Sequence, residues 1–230
     1  MKREVLDELL SARRAKRPAA IVTDLESGEQ WLFEPRNPMP AGLAEDTVPA
    51  IRAALRADRA GPLALGGREL FINVWNPPLR MIVIGAVHIA QPLVHAARLA
   101  GFEVFVIDPR HSFAADARFP DVSIATQWPD EALAALAPDA RCAVVALTHD
   151  PKLDDPALAF ALRSEVFYIG ALGSRKTHAK RVDRLREQGF SHEEIARIRG
   201  PVGLAIGAQT PPEIAISIVA EVIQQLRQPA

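Results

Sequence analysis

Residues 81–110 read MIVIGAVHIAQPLVHAARLAGFEVFVIDPR, and the periodicity of this stretch decides the fold. Met81 to Ile84 is apolar throughout, which suits a parallel strand covered on both faces. Gly85 breaks the run. From His88 to Ala100 the residues Ile89, Leu93, Val94, Ala97 and Ala100 recur at helical spacing, and Gly101 stands where a helix ends in a left-handed residue. Val104 to Ile107 is a second apolar run. It closes on Asp108, 23 residues after Gly85, where an acid at a strand tip can hydrogen-bond a ribose hydroxyl. This is the opening unit of a nucleotide-binding βαβ fold.

One position departs from that pattern. The fingerprint G-x-G-x-x-G/A falls on Gly85, Val87 and Ala90, and its middle glycine, which lets the turn approach a pyrophosphate, is replaced by the β-branched Val87. Fold and ligand therefore need separate arguments.

Downstream the alternation continues, with Val122 to Ala125 as a strand, Asp130 to Leu136 as a helix and Cys142 to Leu147 as an apolar strand. Strands alternating with helices imply a doubly wound, mostly parallel Rossmann-like sheet. Cys142 lies inside its strand and reads as a small core residue. Thr148-His149-Asp150 follows at that strand's carboxyl end, the edge where open α/β sheets bind ligands. Two readings stand there: a His-Asp pair facing a ligand, or a turn whose Asp150 caps a helix starting at Pro151.

The next strand, Val166 to Ile169, runs into Gly170-Ala171-Leu172-Gly173-Ser174-Arg175, read as a glycine-flanked turn opening a helix with Ser174 as N-cap. Such a turn points amides and a helix dipole at an anion, and Arg175 could clamp a phosphate. The helix carries Arg175, Lys176, Lys180, Arg181, Arg184 and Arg186 against Asp183 and Glu187, with Ala179, Val182 and Leu185 as a narrow apolar stripe. Its basic side is either a solvated face or a phosphate or partner surface. Ser191 to Glu194 and Thr210 to Glu213 are capping boxes. After the second, Ile214, Ala215, Ile218, Val219, Val222, Ile223 and Leu226 trace a wide stripe for packing on the sheet. The glycine-rich connection 200–209 can come close to a ligand.

Upstream, residues 4–16 form an amphipathic helix, Ala20 to Asp24 and Gln30 to Phe33 a hairpin, residues 45–59 a helix and Glu69 to Trp75 a strand. Pro77-Pro78 then divides the chain into a small α+β domain, 1–78, and a Rossmann-like domain, 79–230. No catalytic constellation is visible in residues 1–78. The net charge of −1 supplies no overall field for nucleic acid or a membrane surface. A single cysteine excludes an internal disulfide framework. The charged start and the lack of a bilayer-length apolar run make a reducing cytoplasm the default expectation.

The blocks IGAVHIAQPL, VIDPRHSFAADARFP, LTHD, YIGALGSRKTHAKRV and GPVGLAIGAQTPPEIAISIVAE, in that order, resemble the Rossmann domain of the XdhC/CoxI family over about residues 70–227. These are accessory proteins of molybdenum hydroxylases such as xanthine dehydrogenase and carbon monoxide dehydrogenase. The resemblance implies a chaperone that binds molybdenum cofactor of the molybdopterin type, protects it during sulfuration and assists its insertion into the client. It implies cofactor binding by Gly85, His88, Asp108, Arg110, His149, Gly170, Gly173, Ser174 and Arg175, with the phosphate on the last three and the basic helix toward client or partner. No catalytic or metal-ligating residue is assigned.

This chain has Val87 where relatives commonly show glycine, and residues 1–78 lack the glycine-rich segment and G-G-C motif of longer members. A separate chain carrying that module is an expected partner, as is a second copy in a homo-oligomer; neither nucleic acid nor membrane is. Two other classes stay open. One is an NAD(P)H-dependent oxidoreductase, with Asp108 on the ribose and His149 as acid or base. The other is a nucleotide-sensing scaffold.

Overall fold

A computed structural model describes residues 2–110, 119–120 and 122–227. The chain divides into two compact units between Pro77 and Pro78. In the first, α1 (Arg3–Arg14), β1 (Ala19–Asp24), β2 (Gln30–Phe33), α2 (Val48–Ala57), β3 (Gly61–Leu65) and β4 (Arg68–Trp75) build an antiparallel sheet of order β2-β1-β4-β3. Alternate residues of β1 serve two helices. Ala20 and Val22 pack with Trp31, Phe33 and Ile72 against Ile51 and Leu55 of α2. Ala19 and Ile21 pack with Leu32 against Val5, Leu9 and Ala12 of α1. Strand β3, which the sequence pattern does not predict, is half-buried on one face, where Leu63 meets the α2 core, and its residues GPLAL include no β-branched or aromatic side chain to signal a strand.

The second unit runs β5 (Arg80–Ile84), α3 (Ala90–Leu99), β6 (Glu103–Ile107), β7 (Ser123–Ala125), α4 (Pro129–Leu136), β8 (Cys142–Ala146), α5 (Pro151–Leu162), β9 (Tyr168–Ala171), α6 (Arg175–Glu187), α7 (His192–Ile195), β10 (Ile198–Arg199) and α8 (Pro211–Arg227). Its sheet has the order β10-β9-β8-β5-β6-β7, and every pairing is parallel. The winding reverses between β5 and β8, so their carboxyl ends flank the crevice where such folds take ligands.

Each central strand feeds two cores. Met81, Val83, Val106 and Val145 pack toward Leu93 and Ala97 of α3 and Ile218 and Val222 of α8. Ile82, Ile84, Val144 and Ala146 pack toward Leu133 of α4, Leu158 of α5 and Leu185 of α6. Burial on both faces is why these strands read as unbroken apolar runs. Each fully buried Val, Ile or Leu contributes roughly 1.5–3 kcal/mol, and truncating Leu158 to Ala would cost about 2–5 kcal/mol.

Three expectations are corrected. The strand placed at Val166–Ile169 lies at Tyr168–Ala171, where Gly170 pairs with Val145 and Ala171 with Ala146. On α6 the buried face carries Arg181 and Leu185, whereas Ala179 is exposed. On α8, Ile223 is exposed although it continues the apolar pattern.

Candidate functional site

At the end of β5, Gly85 adopts φ +105° and its N–H donates to the Ile107 carbonyl at 2.7 Å. A Cβ there would stand 2.6 Å from Cγ2 of Thr148 and 3.3 Å from its backbone nitrogen. The residue must be glycine because the exit of β8 crosses close to the exit of β5, and no ligand is needed to explain it.

The next N–H, on Ala86, donates to Oδ2 of Asp108 at 2.8 Å. Asp108 is fully buried. Its oxygens also accept from the Arg110 backbone N–H at 3.0 Å and from Nε and Nη2 of that guanidinium at 2.8 and 2.7 Å. Burial pushes the carboxyl pKa up, but the Arg110 side chain and the two backbone N–H groups outweigh it and hold the value below the ordinary one. The acid expected to meet a ribose is thus closed by its own chain. It ties the β5–α3 turn to the exit of β6. Val87 is half-buried against the α3–α8 core, and His88 is exposed.

At the end of β8, His149 takes a left-handed φ of 61° and is exposed. Asp150 caps α5, accepting from the Lys152 N–H at 2.9 Å, so the capping reading of this acid holds. The acid turned inward is Asp154, one helical turn later and 1% exposed. It accepts from Thr148 Oγ1 at 2.7 Å, the Thr148 N–H at 3.3 Å and the His149 N–H at 3.1 Å. Burial raises its pKa against the opposing pull of Thr148 and Arg181.

Arg181 faces it from α6, with Nη2 at 3.7 Å from Asp154 Oδ2 and the side chain 2% exposed. That nitrogen donates to the Leu172 carbonyl at 3.0 Å. Nε and Nη1 find no hydrogen-bond partner among the described residues. Burial drives the Arg181 pKa down, with Asp154 and Asp155 opposing. An unsatisfied buried donor costs about 1–3 kcal/mol, more when charged. Arg184, one turn on, is neutralised instead: Nε and Nη2 donate to both oxygens of Asp155. Arg181 is therefore no part of a solvated face, whereas Arg184, with its side chain 34% exposed, stays at the surface as an ion pair.

Between the β8–α5 turn and α6 lies a pocket of about 260 Å³. His149, Pro151 and Asp154 line one side; Lys176, Thr177, Lys180, Arg181 and Arg184 line the other. Of the cofactor-binding residues that the resemblance implies, His149 alone borders it, and Lys176, Lys180, Arg181 and Arg184 come from the basic helix. Gly173 (φ +141°) precedes it in the chain. Ser174 Oγ accepts from the Thr177 N–H at 3.1 Å as the helix cap, and Arg175 is exposed. Gly170 belongs to strand β9, where a Cβ would stand 2.8 Å from Tyr168 Cε1, so it serves packing and lies in no ligand turn. Asp154 and Arg181 were missed as a pair because an acid in a first helical turn and a cation in a basic helix both read as surface residues.

Cys142 is fully buried, and burial, the largest influence, pushes its thiol up to about 11. Among the described residues no three His, Cys, Asp or Glu side chains converge as a metal site, and no helix is long and apolar enough to cross a membrane.

Topology and site together define a Rossmann-type domain with a closed acid at the ribose position and cations gathered beside the strand ends. The family model for the XdhC Rossmann domain matches residues 81–222, and the chain belongs to that family. It is 34% identical over 163 residues to a protein of Bacillus subtilis (strain 168) described as a probable xanthine dehydrogenase subunit, covering 70% of this chain and 47% of that protein. It is 32% identical over 148 residues to the molybdenum cofactor insertion chaperone PaoD of Escherichia coli (strain K12), covering 64% and 40%. A crystal structure of a xanthine dehydrogenase from Bacillus halodurans superposes with a TM-score of 0.68 at 27% identity, over 99% of this chain and 65% of that one. The chain spans less than half the length of the curated relatives it matches.

Proposed function

We propose that this protein is a maturation chaperone for a molybdenum hydroxylase of the xanthine dehydrogenase type, carrying molybdenum cofactor as cargo and passing it to the apo-enzyme in a reducing cytoplasm. The observation that carries this reading is a cation-lined pocket at the carboxyl edge of an XdhC Rossmann domain, in a chain related to a molybdenum cofactor insertion chaperone. Lys176, Lys180 and Arg181 suit an anionic organic ligand. The metal chemistry belongs to the cargo, and the chain's part is to bind, shield and release it.

The sulfur for the cargo's terminal ligand comes from another protein. Cys142 is enclosed and its thiol is held protonated, so it cannot relay sulfur. A client hydroxylase is one partner. A chain supplying the module absent from residues 1–78 is another, and a second copy of this chain a third. The oxidoreductase reading fares worse, because the hydrogen bonds on Asp108 come from its own chain and Val87 stands at the pyrophosphate turn.

Expression in a host that makes the cofactor tests the proposal. Purified protein should carry molybdenum, together with pterin fluorescence after oxidation, and should restore activity to the apo-hydroxylase. Reproducible absence of both at saturating supply overturns it.

A further inference from the structure

The α6 pocket is lined by four cations, and one of them, Arg181, is buried with unused donors. Lys176, Lys180 and Arg184 follow one another at i, i+4 and i+8, with Thr177 and Arg181 on the adjacent ridge. Like charges at this spacing repel and weaken a helix unless something negative sits among them. Asp155 answers Arg184, and Asp154, the one acid lining the pocket, is already engaged by Thr148 and the His149 N–H. Four cations thus meet two acids. Among the described residues Lys176 and Lys180, both exposed, make no ion pair, and Nε and Nη1 of Arg181 keep three N–H donors without a partner beside the pocket.

We infer that this pocket binds a phosphoryl group. It is the phosphate end of the cargo that Lys176, Thr177, Lys180 and Arg181 hold, rather than the turn Gly173 to Arg175. At about 260 Å³ the pocket admits a phosphate and the start of its ester, and is smaller than the 300–1,000 Å³ usual for a whole organic ligand. The remainder of the ligand would then extend along the carboxyl edge, past His149. The inference rests on the chaperone reading for the identity of the ligand, and on the pocket alone for its phosphate chemistry.

Titration calorimetry of the full chain with inorganic pyrophosphate, at fixed ionic strength, tests it. Saturable binding at one site is expected. Arg181→Gln should weaken it about ten- to a hundred-fold, the usual cost of losing charge-assisted contacts. Arg181 is buried and its substitution also challenges folding, so the exposed pair Lys176→Ala with Lys180→Ala decides the matter. That variant should fold and bind about ten-fold more weakly, whereas Arg175→Ala should change affinity less than about two-fold. Absence of saturable binding, an unaffected lysine variant, or an equal loss in Arg175→Ala overturns the assignment. The two readings fail separately. Cofactor that co-purifies with a chain indifferent to pyrophosphate removes the pocket and keeps the chaperone. Tight pyrophosphate binding without cofactor does the reverse.

Discussion

Asp108 and Arg110, two residues apart, close on each other through a two-point contact at 2.8 and 2.7 Å. The carboxylate is buried and the guanidinium half-exposed, so the pair seals the end of β6 from within. Losing one member of a buried pair leaves the other uncompensated. Asp108→Asn should destabilise the protein by about 2–4 kcal/mol at neutral pH, read from denaturant unfolding.

The same acid sets part of the acid limb of stability. Its folded pKa lies below the ordinary 3.8, so its stabilisation is complete above that value and is lost as pH falls through the folded one. Asp154 acts oppositely. Its folded pKa is raised, so the native state holds a proton that the unfolded chain has released, and stability declines as pH rises from 3.8 through the folded value. Unfolding measured across the acid range should show Asp108→Asn with a shallower acid loss than the natural protein. Equal slopes would mean that Asp108 is not ionised in the fold.

Gly85→Ala combines a left-handed backbone with a Cβ 2.6 Å from Thr148 Cγ2, and should cost about 2–4 kcal/mol. Thr148→Ser removes that methyl while keeping the hydroxyl that donates to Asp154. Combined, the two changes should recover part of the loss, because the closest contact is gone while the backbone strain and the 3.3 Å approach to the Thr148 nitrogen remain. Strict additivity would show that the crowding is not the cause.

Cys142 should resist alkylation at pH 8 in the folded protein and react only on unfolding, since its thiol is enclosed and raised to about 11. A labelling rate independent of denaturant below the unfolding transition is the expected record. Rapid labelling of native protein would reopen a sulfur-carrying role.

NADH should bind weakly, and Val87→Gly alone should not create a tight site, because Asp108 remains closed by Ala86 and Arg110. Calorimetric titration of the variant against the natural protein decides this. A large gain from Val87→Gly would show that the side chain, and not the closed acid, is the barrier.

The β5–α3–β6 unit was legible because each strand is apolar on both faces and Gly85 marks the turn. The exit of β9 was not, because Gly170 carries no side chain to register burial and its place is fixed by pairing with Val145. Strand β10 pairs through two residues, too few for any periodic signal. For the pocket, the sequence pointed to the carboxyl edge of the sheet and to α6, while the lining comes from Lys176, Thr177, Lys180, Arg181 and Arg184 rather than from the turn Gly173 to Arg175. A pattern rule places an arginine at the surface. Arg181 is inside because Asp154, on another helix, faces it, and that meeting is set by the winding of the chain.

The six-stranded sheet ends on one side in three residues of β7 and on the other in two of β10. A rim that short exposes few open peptide groups, so a foreign strand finds little to zip onto. An unpaired strand presented by any other chain is thereby kept from extending this sheet.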